Sequence, residues 1–329
     1  LILFISHIEK MRNLINKSDR IFVAGHNGMV GKSIYKNLKL SGYNQILTES
    51  RENLDLTDLV EVKRWFEKYK PEVVVIAAAK VGGIHANKSY PYDFLIENLK
   101  IQANLIETSW KSSVKRLLFL GSSCMYPKFA KQPIREDSLL TGKVEPTNEW
   151  YALAKIAGLK LCEAMYRQYG LDYISLVPTN LYGPGDNYDR ENSHVMGAML
   201  RRFLEAKENK TPSVKCWGTG SPIREFLHAD DLGSACVFAL QHWKPNSNEL
   251  RFLNVGSGES LTIRELAQKV SEAVKYRGVI EWDETKKDGA PIKILDSSLF
   301  NALGWKPSFN LNKGLQSLVM KELSQYKFP

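Results

Sequence analysis

The sequence predicts a parallel, doubly wound α/β sheet that carries a smaller α/β lobe. Three observations lead there. Short apolar runs alternate with helix-spaced segments through the first 180 residues, one run (Glu72–Ala79, EVVVIAAA) is unbroken, and glycines 25, 28 and 31 separate the first run from the first helical segment. An unbroken apolar run marks a strand buried on both faces, as crossover helices on both sides of a parallel sheet require. Glycines at that junction allow a tight turn and close packing of helix on sheet.

Taken in order, Arg20–Ala24 is predicted as the first strand, Gly28–Leu40 as the first helix, Gln45–Thr48 as a strand and Leu59–Tyr69 as a helix. Glu72–Ala79 follows as a strand, Asp93–Lys111 as a long helix, Arg116–Gly121 as a strand, Trp150–Tyr169 as a second long helix and Tyr173–Pro178 as a strand. The rhythm then breaks, because LYGPGDNYDRENS (181–193) clusters turn formers and predicts a long loop. Beyond it come a helix over Val195–Lys207, short strands near 214–217 and 251–255, and helices over 230–242 and 261–276. This gives an N-terminal extension at 1–19, a nucleotide-binding domain at 20–180 to which segments around 218–256 return, and a substrate-binding lobe at 181–329. Met11 is a candidate start, with ten residues upstream of it.

Hydrophobic residues make up 43% of the 329 and charged residues 25%, the balance of an ordinary globular protein. The net charge is +9, but the lysines and arginines are scattered with no run of five. That favours a small phosphorylated ligand over nucleic acid. Cysteines 124, 162, 216 and 236 show neither paired nor metal-ligand spacing, which suits a reducing cytoplasm. No stretch approaches the ~20 apolar residues of a membrane span. The opening LILFI is too short for a span and carries no cleavage-site pattern.

The first strand runs into GHNGMVG (25–31). A helix starting there offers free N–H groups and its positive dipole end to a pyrophosphate, the arrangement of dinucleotide sites. Adenosine preference should be set after the second strand, in TESR (48–51). A carboxylate there suits the ribose of NAD and an arginine the added phosphate of NADP, so Glu49 and Arg51 point in opposite directions. If Glu49 merely faces solvent, Arg51 decides for NADP(H).

Tyr151 and Lys155, in WYALAK, fall on one face of a predicted helix. A phenol near pKa 10 is a poor proton shuttle unless a cation lowers it, and an ammonium one turn away is placed to do so. Ser122, at a strand end in GSSCMYP (121–127), can bond the same carbonyl oxygen. Such a pair alone is usually structural. With the glycine loop upstream, it describes hydride transfer to a carbonyl, with Tyr151 as the acid. Cys124, two residues beyond Ser122, has no task in a plain reductase. Out of context it would read as a small buried hydrophobe.

Together GxxGxxG, GSSCxYP, EPTNExYAxAK and PTNLYGP make the chain resemble the extended short-chain dehydrogenases, from about Arg20 to near the C-terminus. Further motifs, AAAKVGGI (77–84), NSHV (192–195), WGTGSPIREFLH (217–228) and KDGAP (287–291), narrow the likeness to the branch that epimerises GDP-4-keto-6-deoxy-mannose at C3 and C5 and reduces it at C4. The resemblance implies a Rossmann domain, NADP(H), a GDP-sugar substrate and a homodimer packed through helices near 93–111 and 150–169. It implies a cofactor lining from the glycine loop (Gly25, Asn27, Gly28, Met29, Val30, Gly31) and from Arg51, Leu54, Asp55 and Leu56. Leu120, Gly121, Ser122, Lys155, Pro178, Thr179, Asn180, Leu181 and His194 would complete that lining. Arg202, Trp217, Arg224 and Asp288 would hold the GDP end, where two guanidiniums match a diphosphate and an indole offers an apolar surface. Two residues depart from the pattern: Asn27 stands where bacterial members carry arginine, and Trp150 is unusually bulky.

The chemistry of that branch gives Cys124 a purpose. Protons beside a C4 ketone are acidic, and removing one leaves an enolate whose charge sits on the C4 oxygen, where Tyr151 and Ser122 would hold it. Inversion needs a base on one face and an acid on the other. Cys124 is placed to be the base, and the resemblance assigns His194 as the acid. The competing readings are a sugar-nucleotide 4-epimerase or dehydratase that recycles bound NAD, and a non-catalytic nucleotide-sensing module. A 4-epimerase does not need Cys124 and His194, and CMYP lacks the acidic residue a dehydratase would want.

Overall fold

A computed structural model describes residues 13–190, 193–247, 249–286 and 288–321. The opening LILFI run, Met11, Glu191, Asn192 and Lys287 lie outside the described residues.

The first half alternates strand and helix: β1 Ile21–Ala24, α1 Met29–Leu40, β2 Ile46–Leu47, α2 Leu59–Tyr69, β3 Val73–Ile76, α3 Ile84–Ser89, α4 Pro91–Lys111, β4 Arg116–Leu120, α5 Glu149–Tyr169 and β5 Tyr173–Pro178. It continues with β6 Asn180–Tyr182, α6 Val195–Glu208, β7 Ser213–Trp217, β8 Ile223–His228, α7 Ala229–His242 and β9 Phe252–Val255. The last elements are β10 Ser260–Thr262, α8 Ile263–Val274, β11 Val279–Asp283, β12 Ile292–Lys293, α9 Ser298–Ala302 and α10 Leu311–Lys321. Six strands form one sheet in the order β2-β1-β3-β4-β5-β9, parallel throughout.

The alternation of side chains along each strand builds two cores, one on each face. Ile21, Val23, Val73, Val75, Leu118 and Leu120 pack with α1 and α7. Phe22, Ala24, Val74, Ile76, Leu117 and Phe119 pack with α2, α4 and α5. Arg116 opens β4 fully buried, but its charge is met by Asp172 and the carbonyls of Ala239 and Trp243. Residues 13–19 also dock on this domain: Ile15 enters the core and Asp19 pairs with Lys115 at 2.6 Å.

The smaller lobe is built on β8, with β10 antiparallel beside it and β6 and β12 parallel, while β7 and β11 form a separate pair. A third core joins α6, α8 and α10. Two differences from the sequence reading have physical causes. The predicted loop at 181–193 begins as β6, whose three residues are too few to show a period and become a strand only by pairing with β8. The predicted helix over 261–276 starts at Ile263, where Thr262 and Glu265 close a capping box, and stops at Lys275 in the left-handed conformation.

Candidate active site

Each glycine of the loop does separate work. Gly25 has φ +86°, and a Cβ there would come within 2.6 Å of the Ala78 nitrogen. A Cβ on Gly31 would meet the Gly25 carbonyl oxygen at 2.0 Å, so only glycine lets α1 approach β1. Gly28 differs: its Cβ position meets no protein atom nearer than 3.5 Å, and the opening before α1 is left free for a ligand. His26 Nδ1, buried beside it, has no hydrogen-bond partner among the described residues. Both observations fit a dinucleotide at the N-terminus of α1.

After β2, Glu49 does not simply face solvent. It is half-buried and accepts bonds from Asn53 Nδ2 at 3.0 Å and Ser50 N at 3.1 Å, and the Asn53 bond leads in holding its pKa below the usual carboxylate value. Arg51 is exposed, 3.6 Å from Glu97. The carboxylate is thus engaged locally, while the guanidinium lies at the surface beside Glu97. Leu54 is buried and Asp55 accepts from Thr57 N at 2.8 Å, within the loop that leads to the Asp58 cap of α2.

β4 ends at Leu120, and Gly121 fits there because a Cβ would press on Met125 and Val177 at 3.1 and 3.2 Å. A 3-10 turn over Ser123–Met125 then carries Cys124 back beneath Ser122, whose hydroxyl accepts from Cys124 N at 3.3 Å. The Ser122 hydroxyl also acts on Tyr151 from α5. Burial raises the Tyr151 pKa, the charge of Cys124 adds to the rise, and the Ser122 hydroxyl opposes it. The expectation that Lys155 lowers the phenol is therefore not met. The Lys155 ammonium, itself buried, donates to the Leu120 carbonyl at 2.8 Å and lies 5.9 Å from the Tyr151 ring centre. Burial brings its own pKa down to about 8. Tyr151 thus holds its proton at neutral pH, as a proton donor must.

Two residues the sequence reading passed over reach the thiol: Asn148 Nδ2 at 3.1 Å and Lys293 Nζ at 3.4 Å. Asn148 lay within the quoted EPTN motif, which was the available signal. Lys293 had none, being brought in by pairing of β12 with β8. His194 is the N-cap of α6 and feels the charge of Lys293, the same ammonium that reaches the thiol. Packed protein around the ring strips part of its hydration and lowers its pKa, and the Lys293 charge acts in the same direction.

The proposed GDP residues also converge. The Arg202 guanidinium stacks 4.8 Å from the Trp217 ring centre, and Trp217 is 60% exposed, which rejects a core role. Asp288 accepts from Thr219 N at 3.1 Å and Thr219 Oγ1 at 2.7 Å. Arg224 is half-buried, and its pKa is lowered by burial against the pull of Asp288, Glu145 and Cys124. Thr179 and Asn180 both donate to the Glu225 carbonyl, at 3.2 and 2.9 Å, and so tie the Pro178–Leu181 segment to β8. Cys162, Cys216 and Cys236 are buried, as expected of core residues. Among the described residues no group of metal-ligating side chains is found, and no helix is long and apolar enough to cross a membrane.

A model of the NAD dependent epimerase/dehydratase family matches residues 21–256. The chain is 53% identical over 306 residues to a protein of Arabidopsis thaliana named GDP-L-fucose synthase 1, covering 93% of this chain and 94% of that one. It is 48% identical over 303 residues to the GDP-L-fucose synthase of Escherichia coli, covering 91% and 94%. Among solved structures, a GDP-mannoheptose C4 reductase from Campylobacter jejuni with NADP bound is 34% identical with a TM-score of 0.85, covering 93% of this chain and 98% of that one.

Proposed function

The chain belongs to the NAD dependent epimerase/dehydratase family, and we propose that it makes GDP-L-fucose from GDP-4-keto-6-deoxy-D-mannose in two stages, with NADP(H) as cofactor. The observation that carries this reading is a thiol set beside a carbonyl-binding hydroxyl pair, Cys124 next to Ser122 and Tyr151.

In the first stage Cys124 takes the proton from the carbon beside the ketone: the C–H bond breaks, an S–H bond forms, and the electron pair moves to the C4 oxygen. Tyr151 and Ser122 hold that oxyanion, and His194 returns a proton on the opposite face. The cycle runs once at C5 and once at C3. NADPH supplies the hydride for the second stage, in which Tyr151 gives its proton to the C4 oxygen and the Lys155 ammonium steadies the tyrosinate left behind. Gly25, Asn27–Gly31, Arg51, Leu54–Leu56, Leu120–Ser122, Lys155, Pro178–Leu181 and His194 are assigned to the cofactor, and Arg202, Trp217, Arg224 and Asp288 to the GDP end. On this reading residues 20–180, with α7 and β9 from the segment around 218–256, form the cofactor domain, and 181–329 otherwise the substrate lobe.

A homodimer through α4 and α5 is part of the proposal. Its support is an apolar stripe on the outer face of α5, where Trp150 and Leu153 are each 41% exposed and Ala157 is exposed. This also gives the bulky Trp150 a task. Four free cysteines and a need for NADPH suit a reducing compartment, and we assign the cytoplasm.

The test is incubation with GDP-4-keto-6-deoxy-mannose and NADPH, following loss of NADPH absorbance and identifying the sugar formed. Turnover to GDP-L-fucose is expected. Failure to oxidise NADPH, with activity on UDP-sugars instead, would refute the proposal.

A further inference from the structure

Two N–H donors converge on one sulfur. A neutral thiol is a weak acceptor with its own proton to place, whereas two donors, one of them cationic, match a sulfur bearing a full negative charge. The behaviour of Asn148 strengthens the point. It stands at the N-cap of α5, where an asparagine side chain ordinarily bonds the first free N–H groups of the helix, yet it makes no such bond and is turned to Cys124 at 3.1 Å. Lys293 comes from the other lobe, on β12, in register with Arg224 of β8. The wholly buried Glu225 braces that strand by accepting from Leu295 N at 3.0 Å and Gly258 N at 2.9 Å.

We propose that Asn148 and Lys293 form a cradle that holds the Cys124 sulfur as a thiolate, so that a lysine of the substrate lobe charges a base carried by the cofactor domain. This rests on Cys124 being the epimerisation base. The other groups acting on the sulfur are Tyr151 from α5, which is protonated, and Arg224 from β8, which adds a second positive charge. The Lys293 ammonium also acts on His194, after burial, in the direction that favours the neutral ring. One cation therefore reaches both groups of the exchange, favouring the charged sulfur on one side and the uncharged imidazole on the other.

Iodoacetamide alkylation of the full-length protein without substrate tests the cradle, with Cys124 followed by peptide mass spectrometry. Cys162, Cys216 and Cys236 are buried, so their protection reports that each variant is folded. Lys293→Met and Asn148→Ala are each expected to slow alkylation about tenfold at neutral pH, with the difference vanishing at a pH where a thiol ionises unaided. Lys293→Arg keeps most of the rate. Should Lys293→Met expose the buried cysteines, Asn148→Asp decides: it keeps the shape, replaces a donor with a carboxylate, and must slow the reaction further. Wild-type rates in folded Lys293→Met, or in Asn148→Asp, would overturn the cradle and leave the NADPH-oxidation result standing. Slowed alkylation without turnover on the GDP-sugar would instead refute the function and keep the cradle.

Discussion

Replacing Gly28 with alanine adds one methyl group at a place the protein leaves open, and its cost should fall on the cofactor alone. The residue sits at φ −76°, ψ 164°, a conformation alanine adopts freely. Its new Cβ would meet the Gly25 carbonyl oxygen at 3.5 Å, an ordinary contact. The unfolded chain loses freedom, which stabilises by ~0.4–1 kcal/mol, and a poorer N-cap offsets a similar amount. Net stability should change by less than ~1 kcal/mol. The same methyl, however, occupies the surface on which a pyrophosphate would rest against the first amides of α1. Charge-assisted hydrogen bonds contribute ~1.5–3 kcal/mol each, so lifting the diphosphate off two of them costs ~3 kcal/mol or more. That is a rise of roughly a hundredfold in Kd for NADPH. Gly31→Ala should do the reverse. Its Cβ would lie 2.0 Å from the Gly25 oxygen and 2.6 Å from the Gly25 carbon, backbone atoms that cannot rotate aside. Forcing α1 outward costs ~1–3 kcal/mol or more of stability before any cofactor is added. NADPH fluorescence titration and cofactor-free thermal melts separate the two variants. If Gly28→Ala binds NADPH like the unaltered protein, or melts below Gly31→Ala, the division of labour among these glycines is wrong.

Cys124→Ser should lose deuterium incorporation at C3 and C5 from D2O by at least a hundredfold while binding NADPH normally, because alcohols ionise far above thiols; unchanged exchange would remove Cys124 as the base. Tyr151→Phe should cut the reduction rate far more than cofactor binding, since only the donated proton and one oxyanion bond are lost. Burial holds Lys155 at about 8, against roughly 10.4 when unfolded. The cost of burying its charge is therefore complete below the folded value and fades as pH climbs toward the unfolded one. Over that window its contribution to stability improves while kcat/KM for reduction falls; melts and rates run across the same pH range would show both, and a flat rate profile would count against a charged Lys155. Trp217→Ala should raise KM for the GDP-sugar about tenfold through lost stacking. It should leave the melting temperature unchanged, because the ring is already 60% exposed.

Much of the molecule was legible from local signals. EVVVIAAA reads as a strand buried on both sides, and its Val73–Ile76 part, β3, is buried at every position, while residues 77–79 lie past the strand end. α2 matches its predicted span because Asp58 caps its start and Lys70 takes the left-handed turn at its end, both readable locally. The glycine loop, the Tyr151–Lys155 spacing and the Ser122–Cys124 strand end were visible because each is a short-range pattern. What escaped was set by distance along the chain. Lys293 lies 169 residues from Cys124, and no periodicity connects them. Its position follows from the register of β12 on β8, itself fixed by the buried Glu225 carboxylate.

The sequence by itself determined the doubly wound sheet, the glycine loop and the candidates for the reacting groups, because backbone sterics, side-chain period and glycine requirements act over a few residues. Only the tertiary structure decided their electrostatic state. Tyr151 was expected to be acidified by Lys155, yet burial keeps its proton in place and the ammonium bonds the Leu120 carbonyl instead. Cys124 read as a base with only Ser122 near it in the chain, yet its sulfur receives donors from both lobes. Charge stabilisation depends on desolvation and on neighbours within a few ångströms, and both arise when distant segments of the chain close on each other.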